Sequence, residues 1–420
     1  MSDELFFWQE EQIASETEQA TRVPEPIDLN NVDPVLLDRL QLCLLPGLGP
    51  RNLSVLLNAF GSATDVLKAS SEMLQRVPGI GPKLVHTIQH ARDHVDVESV
   101  LRWCLANRVE ILEPDRPGYP LGSAFPEPLL ELDDTPPLLF ASGRWQRADA
   151  FSVAIVGTRH ATPYGLQQTR RLVRDLASAS VTIVSGLARG IDTAAHRAAL
   201  EVGGRTVAFL GGGLGSMYPP ENQKLADEIR DSGVVISEAS PFAKPKPGMF
   251  PQRNRLIAMA SLATLVIEAP TRSGSLITAR LASEMGRGVG ALPGPINSRA
   301  SSGCHELIRD GGTLITNADD VLELLGPISH PIQTTSGSTT EAPLKESPLN
   351  HADREIRHGM EATLSDLQRS VLDRISPTGT SIEEVISETQ LPPAKVSSIV
   401  SMLEMKRLVR RLSSQFVSRV

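Results

Sequence analysis

Short apolar runs recur between residues 150 and 316, and polar, helix-like stretches separate them. The runs are SVAIVG at 152–157, VTIVSG at 181–186, RTVAFLGG at 205–212, GVVISE at 233–238, LATLVIEA at 262–269, GVGALPG at 288–294 and TLIT at 313–316. They lack strict apolar–polar alternation, which predicts strands buried on both faces of a helix-covered parallel sheet. The pattern therefore predicts a doubly wound α/β domain over 116–324, with ligands bound at the carboxyl ends of its strands.

Two similar phrases precede this domain, LPGLGPRNLSVLLNAF at 45–60 and VPGIGPKLVHTIQHA at 77–91. Each has an apolar-Pro-Gly-apolar-Gly-Pro turn, then a basic residue and a helical pattern. The doubled turn indicates a helical domain of the helix-hairpin-helix (SAM-like) kind over 35–115. Two interpretations stay open, because the free amides at each helix start can face a DNA phosphate or the turns can serve packing alone.

The last 58 residues, 363–420, have the pattern of a winged helix. One helical face is predicted from five apolar positions, which are Leu364, Leu367, Val371, Leu372 and Ile375. Ser381 and Glu384 predict a capped helix start, and RLVRRLS and QFVSRV predict a β-ribbon. Eight basic and six acidic residues leave this segment only slightly positive. Its charge therefore does not indicate DNA binding. A basic run such as Arg407, Arg410 and Arg411 more commonly forms a solvent-exposed face.

Two further segments lack apolar periodicity. Residues 1–34 are predicted to be a disordered acidic tail, and residues 325–362, rich in Pro, Ser, Thr and Gly, a linker. The tail carries nine acidic side chains and one arginine, so the remainder of this chain of net charge −8 sums to zero. Residues 151–260 hold thirteen basic and eight acidic side chains. That excess of basic residues is consistent with a polyanion-binding core. Taken by itself, it favours the simpler interpretation, in which these residues are ordinary surface charges.

The chain has three cysteines, Cys43, Cys104 and Cys304, which lie far apart in the sequence. An odd, scattered set predicts neither a disulfide framework nor a Cys-rich metal site, and it favours the reducing cytoplasm. The sequence contains no run of 18 apolar residues, so no membrane span is predicted. Its acidic start is unlike a signal peptide.

Five predicted loops follow strand ends, and all carry glycine or arginine. They are GTRHATPYG at 157–165, SGLARGID at 185–192, GGGLGSMYPPEN at 211–222, EASPFAKPKPGMFPQRNR at 238–255 and TRSGSLITA at 271–279. Together they predict one crevice that contains Arg159, Arg189, Arg253, Arg255 and Arg272. Guanidinium groups and glycine amides in one crevice are typical of a phosphate-binding site.

A purely structural interpretation competes with this one. Three of the arginines could pair with Asp192, Glu238 and Glu268, and Phe250 could be a core residue rather than a platform for a base.

Searches for catalytic patterns find none. The chain lacks G-x-x-x-x-G-K-[ST], H-E-x-x-H, G-x-S-x-G and Cys-x-x-Cys, and no G-x-G-x-x-G follows the first strand of the domain. Cys304 and His305 are sequence neighbours that face apart on a helix. Ser185 and Ser275 have no evident histidine partner, and His196 is predicted to be a packed or surface residue. The sequence therefore favours binding over turnover, with no enzyme activity, metal or cofactor.

Two rival interpretations stay open. A nucleotide or nucleotide-sugar hydrolase would need Glu238 or Glu268 at the strand ends. A DNA-binding adaptor would instead bind mainly through the winged helix.

Five motifs in fixed order, VAIVGTR, SGLARGIDTAAHRAAL, YPPEN, FPQRNRLIA and SGSLITARLASEMGR, resemble the DNA-processing protein A (DprA/Smf) family of bacteria. The resemblance covers about 116–324, and both appended domains match frequent family appendages. It implies an extended Rossmann-like core that binds single-stranded DNA, forms homodimers and loads RecA recombinase onto incoming strands in natural transformation. The anion in the crevice would then be the backbone of one DNA strand.

The resemblance also implies a set of nucleic-acid-binding residues. They are Gly157, Thr158, Arg159, Ser185, Gly186, Arg189, Gly190, Lys246, Phe250, Arg253, Asn254, Arg255, Gly274 and Ser275. Two departures from the family pattern occur. Members often carry a lysine three residues before the phenylalanine, where this chain has Pro247 and places Lys246 one residue earlier. GLGSMYP also lacks the aspartate often found before Tyr-Pro.

Overall fold

The computed structural model describes residues 32–325, 366–376, 380–389, 391, 395–396, 399–400, 403, 408–411 and 416–419. Residues 326–362 of the predicted linker, the predicted tail up to residue 31, and Leu364 and Arg407 lie outside the described residues. The chain divides into two compact units after Leu314.

Helices of the hairpin region open the first unit. They are α1 (Pro34–Cys43), α2 (Pro50–Phe60), α3 (Ala63–Lys68), α4 (Ser71–Gln75), α5 (Pro82–Gln89), α6 (Ala91–His94) and α7 (Val97–Ala106). Helices α2 and α5 each begin with proline at the first helical position, where the missing amide costs nothing. The preceding turns need glycine, since Gly47 and Gly79 have φ values of 82° and 86°.

The two hairpins differ in what surrounds them. In the first, Leu48 and Pro50 line a small cavity of about 100 Å³ against Leu138 and Leu210 of the sheet domain. In the second, residues 81–83 at the start of α5 are exposed. The first hairpin therefore packs in part against the sheet domain, and DNA contact stays a prediction for both hairpins.

A ten-stranded sheet forms the body of the first unit. Its strands are β1 (Val109–Glu113), β2 (Arg116–Tyr119), β3 (Leu139–Gly143), β4 (Ser152–Val156), β5 (Thr182–Ser185), β6 (Thr206–Leu210), β7 (Val234–Ser237), β8 (Ala263–Val266), β9 (Gly288–Ala291) and β10 (Thr313–Leu314). Their order is β10-β9-β8-β4-β5-β6-β7-β3-β1-β2. Strands β4 to β10 pair in parallel, whereas β3, β1 and β2 extend the sheet antiparallel. All seven strands expected from the apolar runs are confirmed.

The sequence did not indicate β1, β2 and β3. Strand β1 is buried throughout but contains Glu110 and Glu113, and β2 contains Pro117 and Gly118, so both look unlike strands. The buried Glu110 accepts the Ser123 amide at 2.7 Å. The expected domain boundary at 115/116 falls between β1 and β2, which pair with each other.

Helices connect the parallel strands. They are α8 (Pro163–Ser178), α9 (Ile191–Glu201), α10 (Gln223–Ser232), α11 (Met249–Ala260), α12 (Gly274–Glu284) and α13 (Ser302–Arg309). The chain moves from β4 through β7 in one direction along the sheet and from β8 to β10 in the other. Right-handed crossovers then place α8, α9 and α10 on one face and α12 and α13 on the opposite face. The direction changes between β4 and β8, which is the switch point where ligands bind in such sheets.

The second unit contains α14 (Ala318–Leu324), α15 (Asp366–Leu372), β11 (Thr380–Ser381), α16 (Ile382–Thr389), β12 (Val409–Arg411) and β13 (Phe416–Arg419). Strands β12 and β13 form the expected antiparallel ribbon, with β11 on the other side of β13. The Glu384 amide donates to the Ser381 hydroxyl at 3.0 Å, as the capping pattern predicts. Val371, Leu372 and Ile375 are buried, whereas Leu367 is 42% exposed and lies off the predicted face.

Candidate nucleic-acid interface

A crevice of about 690 Å³ lies at the carboxyl edge of the sheet, at the switch point between β4 and β8. Loops after β4, β5 and β8 and the first turns of α11 and α12 form its walls. It brings together eight of the fourteen expected site residues, which are Gly157, Thr158, Arg159, Phe250, Arg253, Asn254, Gly274 and Ser275. This edge of the sheet is the position that the strand pattern predicts.

Arg159 stands exposed at the mouth of the crevice. Its guanidinium carbon lies 5.0 Å from the centroid of the Phe250 ring, a cation–π distance. No ion pair within the described residues includes Arg159, so its charge is open to an anion. Phe250 is half-buried, and its ring occupies the space above Gly211, where a Cβ would lie 2.9 Å from Cδ1.

Arg253 forms the floor of the crevice and is only 6% exposed. Nη1 donates to the Phe209 carbonyl at 2.6 Å, while Nε is buried with no hydrogen-bond partner among the described residues. Burial lowers the pKa of Arg253 to about 10, against the opposing effect of Asp192, so the side chain stays protonated at neutral pH. A buried cation with an unused donor is suited to a phosphate oxygen.

Asp192 is the acidic residue of the crevice lining. Its carboxylate accepts the amides of Gly186 at 3.2 Å and Ala188 at 3.4 Å. Burial raises its pKa, although Arg253 and these amides act in the other direction. The carboxylate is thus held by the loop after β5, as expected for an acidic residue in the first turn of a helix.

The start of α12 completes the crevice. Asn254 Nδ2 donates to the Gly274 carbonyl at 3.3 Å, and Ser273 caps the helix by accepting the Ser275 amide. A Cβ on Gly274 would meet nothing within 4 Å, so the backbone is accessible there. The positive end of the helix dipole adds to the two guanidinium charges.

The glycines in the loops after β4 and β5 serve packing. A Cβ on Gly157 would lie 2.5 Å from Ile191, and one on Gly190, with φ of 77°, would lie 2.3 Å from the Thr158 carbonyl. A Cβ on Gly186 would lie 1.8 Å from Arg253 Nη1. Protein atoms therefore fill the Cβ side of Gly157, Gly186 and Gly190, and among these four glycines only Gly274 has open space there. Ser185 is also internal, since its hydroxyl donates to the Ile155 carbonyl at 2.6 Å.

Arg255 does not line the crevice. It is 8% exposed, and its guanidinium pairs with Glu238 at 2.8 Å and Asp134 at 2.9 Å. Burial raises the pKa of Glu238, and Arg255 opposes that shift. The structural ion-pair interpretation thus describes Arg255, although its motif suggested a ligand contact.

Arg189 and Lys246 lie at the margin. Arg189 pairs with Glu221, with Nη2 at 3.1 Å from Oε2, and lies over the Tyr218 ring at 5.5 Å, so a carboxylate compensates its charge. Lys246 is exposed between Pro245 and Pro247, and these prolines rather than the lysine line the crevice.

The lining residues that the sequence did not indicate include His160, Tyr218 and Ile277. Arg272, which is absent from the fourteen site residues, does line the crevice, as its loop predicted. Tyr218 is the first residue of the YPPEN motif, and the buried Asn222 is the last. The Nδ2 atom of Asn222 donates to the Leu187 carbonyl at 2.9 Å, which ties two loops together.

Groups that a hydrolase would use are engaged elsewhere. Glu268 is 2% exposed and accepts the Thr162 amide at 2.9 Å and hydroxyl at 2.6 Å, which caps α8. Neither Glu268 nor Glu238 lines the crevice. Burial lowers the pKa of His196 to about 3, and its Nδ1 contacts the Thr206 hydroxyl. The buried Cys304 thiol approaches the Val266 carbonyl, whereas His305 Nε2 lies 3.0 Å from the Gly294 carbonyl.

No cluster of three or more His, Cys, Asp or Glu side chains within the described residues could hold a metal ion. No helix there combines the length and apolar character that a bilayer span requires.

Family models match three parts of the chain. Residues 119–326 match DNA recombination-mediator protein A, residues 358–415 match the DprA winged helix domain, and residues 40–91 match the SAM-like helix-hairpin-helix tandem.

Individual proteins give the same result. Protein Smf of Synechocystis sp. is 34% identical over 385 residues, which covers 86% of this chain and 93% of that protein. The DNA processing protein DprA of Streptococcus pneumoniae is 45% identical over 202 residues, 48% of this chain and 71% of that protein. The crystal structure of the S. pneumoniae protein aligns with a TM-score of 0.57 at 33% identity, covering 68% of this chain and 96% of that one.

Proposed function

Because the chain belongs to the DNA-processing protein A (DprA/Smf) family, we propose that its crevice binds the sugar-phosphate backbone of single-stranded DNA. The observation that carries this proposal is the pair of arginines, one at the mouth and one on the floor. Arg159 has no carboxylate partner within the described residues, and Arg253 keeps a buried, unused Nε donor. Two guanidinium groups in one crevice, one of them without a carboxylate partner, favour an anion as the ligand.

The geometry supports a single strand over a duplex. Arg253 lies at the bottom of the crevice, where a flexible strand can bring a phosphate, whereas the phosphates of a duplex lie on a wide, stiff cylinder. Phe250 offers a ring against which an unpaired base can stack. The lining holds guanidinium groups, hydroxyls and helix-start amides, and its Asn254 and Asp192 side chains are bonded to the protein backbone, so binding is largely independent of sequence.

Arg159→Ala is expected to reduce the affinity for an oligothymidine by roughly 10-fold, about 1.4 kcal/mol. The plot of log affinity against log salt should also become less steep by about 0.7, the value for one contact to a single strand. Fluorescence anisotropy over several salt concentrations measures both quantities. Because Arg159 is exposed, the melting temperature should not change.

Arg108→Ala is the matched control. Arg108 is exposed and immediately precedes β1, at the amino edge of the sheet opposite the crevice. Equal affinities and salt slopes for the two variants would remove Arg159 from the site.

The further steps of the proposal are a homodimer and delivery of RecA recombinase to the bound strand during natural transformation, in the cytoplasm. The family description as a recombination mediator supports delivery, since a mediator must hold the strand that the recombinase will occupy. Light scattering tests the dimer, and RecA filament growth on strands already covered by a single-strand binding protein tests delivery.

Removing residues 363–420 is expected to leave most of the affinity for single strands. The loss should be at most about 1–2 kcal/mol, roughly 10-fold, because the arginines of the crevice belong to the first unit. Titration of the shortened and full chains with one long oligonucleotide measures the difference. A shortened chain that binds nothing would favour the adaptor interpretation, in which the winged helix is the main DNA site.

A further inference from the structure

A second hollow adjoins the crevice on the side of α8 and α9. Its volume is about 340 Å³, and it shares two lining residues, Arg159 and His160, with the crevice. The shared residues make the two spaces neighbours with a common cationic rim. A chain-like ligand seated in the crevice can therefore continue into the hollow.

The hollow has an apolar floor and a basic far side. Ala161 and Leu166 from the α8 side and Ala194 from α9 form the floor, and Leu166 is 40% exposed. Arg197, one turn after Ala194 on α9, is exposed at the far side. An apolar surface beside a guanidinium suits a nucleotide, whose sugar and base rest on the floor while its phosphate contacts the cation.

The charges beside the hollow differ from those at Arg189. No ion pair within the described residues includes Arg197, and no acidic residue lines the hollow. The exposed Arg189 is instead paired with Glu221, whose carboxylate compensates its charge. A strand leaving the crevice is therefore attracted more strongly toward Arg197 on α9 than toward Arg189.

We propose that this hollow is a second phosphate subsite, in which Arg197 binds the backbone of a DNA strand that continues from the crevice past Arg159 and His160. The inference rests on the proposed single-strand binding and adds the path of the strand and one further binding residue. It follows that short oligonucleotides fill the crevice, whereas longer ones also occupy the hollow.

Anisotropy titrations of the full chain with oligothymidines of increasing length test this path. Arg197→Gln should lower the affinity for long oligonucleotides about 5-fold more than for the shortest one bound by the wild-type protein. The salt slope for the long oligonucleotide should fall by about 0.7, one phosphate contact. Leu166→Glu, which adds a carboxylate at an exposed position of the floor, should give a larger length-dependent loss.

Two controls make the outcomes distinct. Arg108→Gln has the same charge change at the opposite edge of the sheet and should bind every length like the wild-type protein. Arg272→Gln, at an exposed residue that lines the crevice and not the hollow, should weaken short and long oligonucleotides alike, which tests the crevice independently of the hollow. Arg197→Gln and Leu166→Glu proteins that match Arg108→Gln at all lengths would overturn the second subsite while leaving the crevice in place. A wild-type protein without affinity for single strands would instead overturn the proposed function.

Discussion

Gly186→Ala is expected to lower the free energy of unfolding of the first unit by about 3 kcal/mol. It should also weaken binding to single-stranded DNA by roughly 30-fold, about 2 kcal/mol. The new methyl group would lie 1.8 Å from Arg253 Nη1, so the guanidinium must move. Because Arg253 is 6% exposed, moving it breaks the hydrogen bond to the Phe209 carbonyl and leaves Asp192 without its nearby cation.

Denaturant unfolding and anisotropy titration of the same preparation measure the two effects. Gly274→Ala is the matched control, since a Cβ at that crevice glycine meets nothing within 4 Å, and its stability should stay within about 0.5 kcal/mol. In an Arg253→Ala background, Gly186→Ala should cost little more, because the clash partner is gone. A full additional cost there would show that Gly186 acts through something other than Arg253.

Arg255→Gln is expected to have the opposite profile, with a large loss of stability and little loss of DNA binding. Breaking a buried ion pair costs about 3–5 kcal/mol, and we expect roughly 2–3 here because Glu238 and Asp134 keep some contact with water. Arg255 does not line the crevice, so the folded variant should bind single strands within about 2-fold of the wild-type protein.

The loss of stability in Arg255→Gln should depend on pH. Burial already raises the pKa of Glu238, and removal of Arg255 raises it further. A carboxyl whose pKa is raised by folding destabilises the fold above that pKa and ceases to do so once it is protonated. The difference from the wild-type protein should therefore be largest near neutral pH and shrink in acid. Arg159→Gln is the control, with unchanged unfolding and weakened DNA binding, and an Arg255→Gln protein with that same profile would return Arg255 to the site.

The helical domain, the parallel strands and the place of the crevice could all be predicted from sequence. Each depends on local patterns, namely repeated Pro-Gly turns, buried apolar runs and glycine-bearing loops at strand ends. Strand β1 could not be predicted, because Glu110 and Glu113 are buried through partners that lie apart from them in the chain, such as Arg39. The partners of a buried carboxylate are a property of the assembled sheet.

The arginines show the same division between sequence and structure. Arg253 and Arg255 stand two positions apart on α11, and their motif suggests one role for both. Successive positions two apart on a helix point in different directions, so one guanidinium reaches the crevice floor and the other reaches Glu238. Similarly, nothing local to Arg189 shows that Glu221, 32 residues away, compensates its charge.

The sequence by itself determined the order of the parallel strands along the chain and the edge of the sheet where the crevice lies, and it predicts an anionic ligand there. These follow from the periods of apolar residues and from the residue types in the loops. Only the tertiary structure decided which arginines remain available to an anion, because that depends on carboxylates and carbonyls brought close by folding. It also decided that Gly157, Gly186 and Gly190 are required for packing, since the atoms that fill the space above them belong to other segments of the chain.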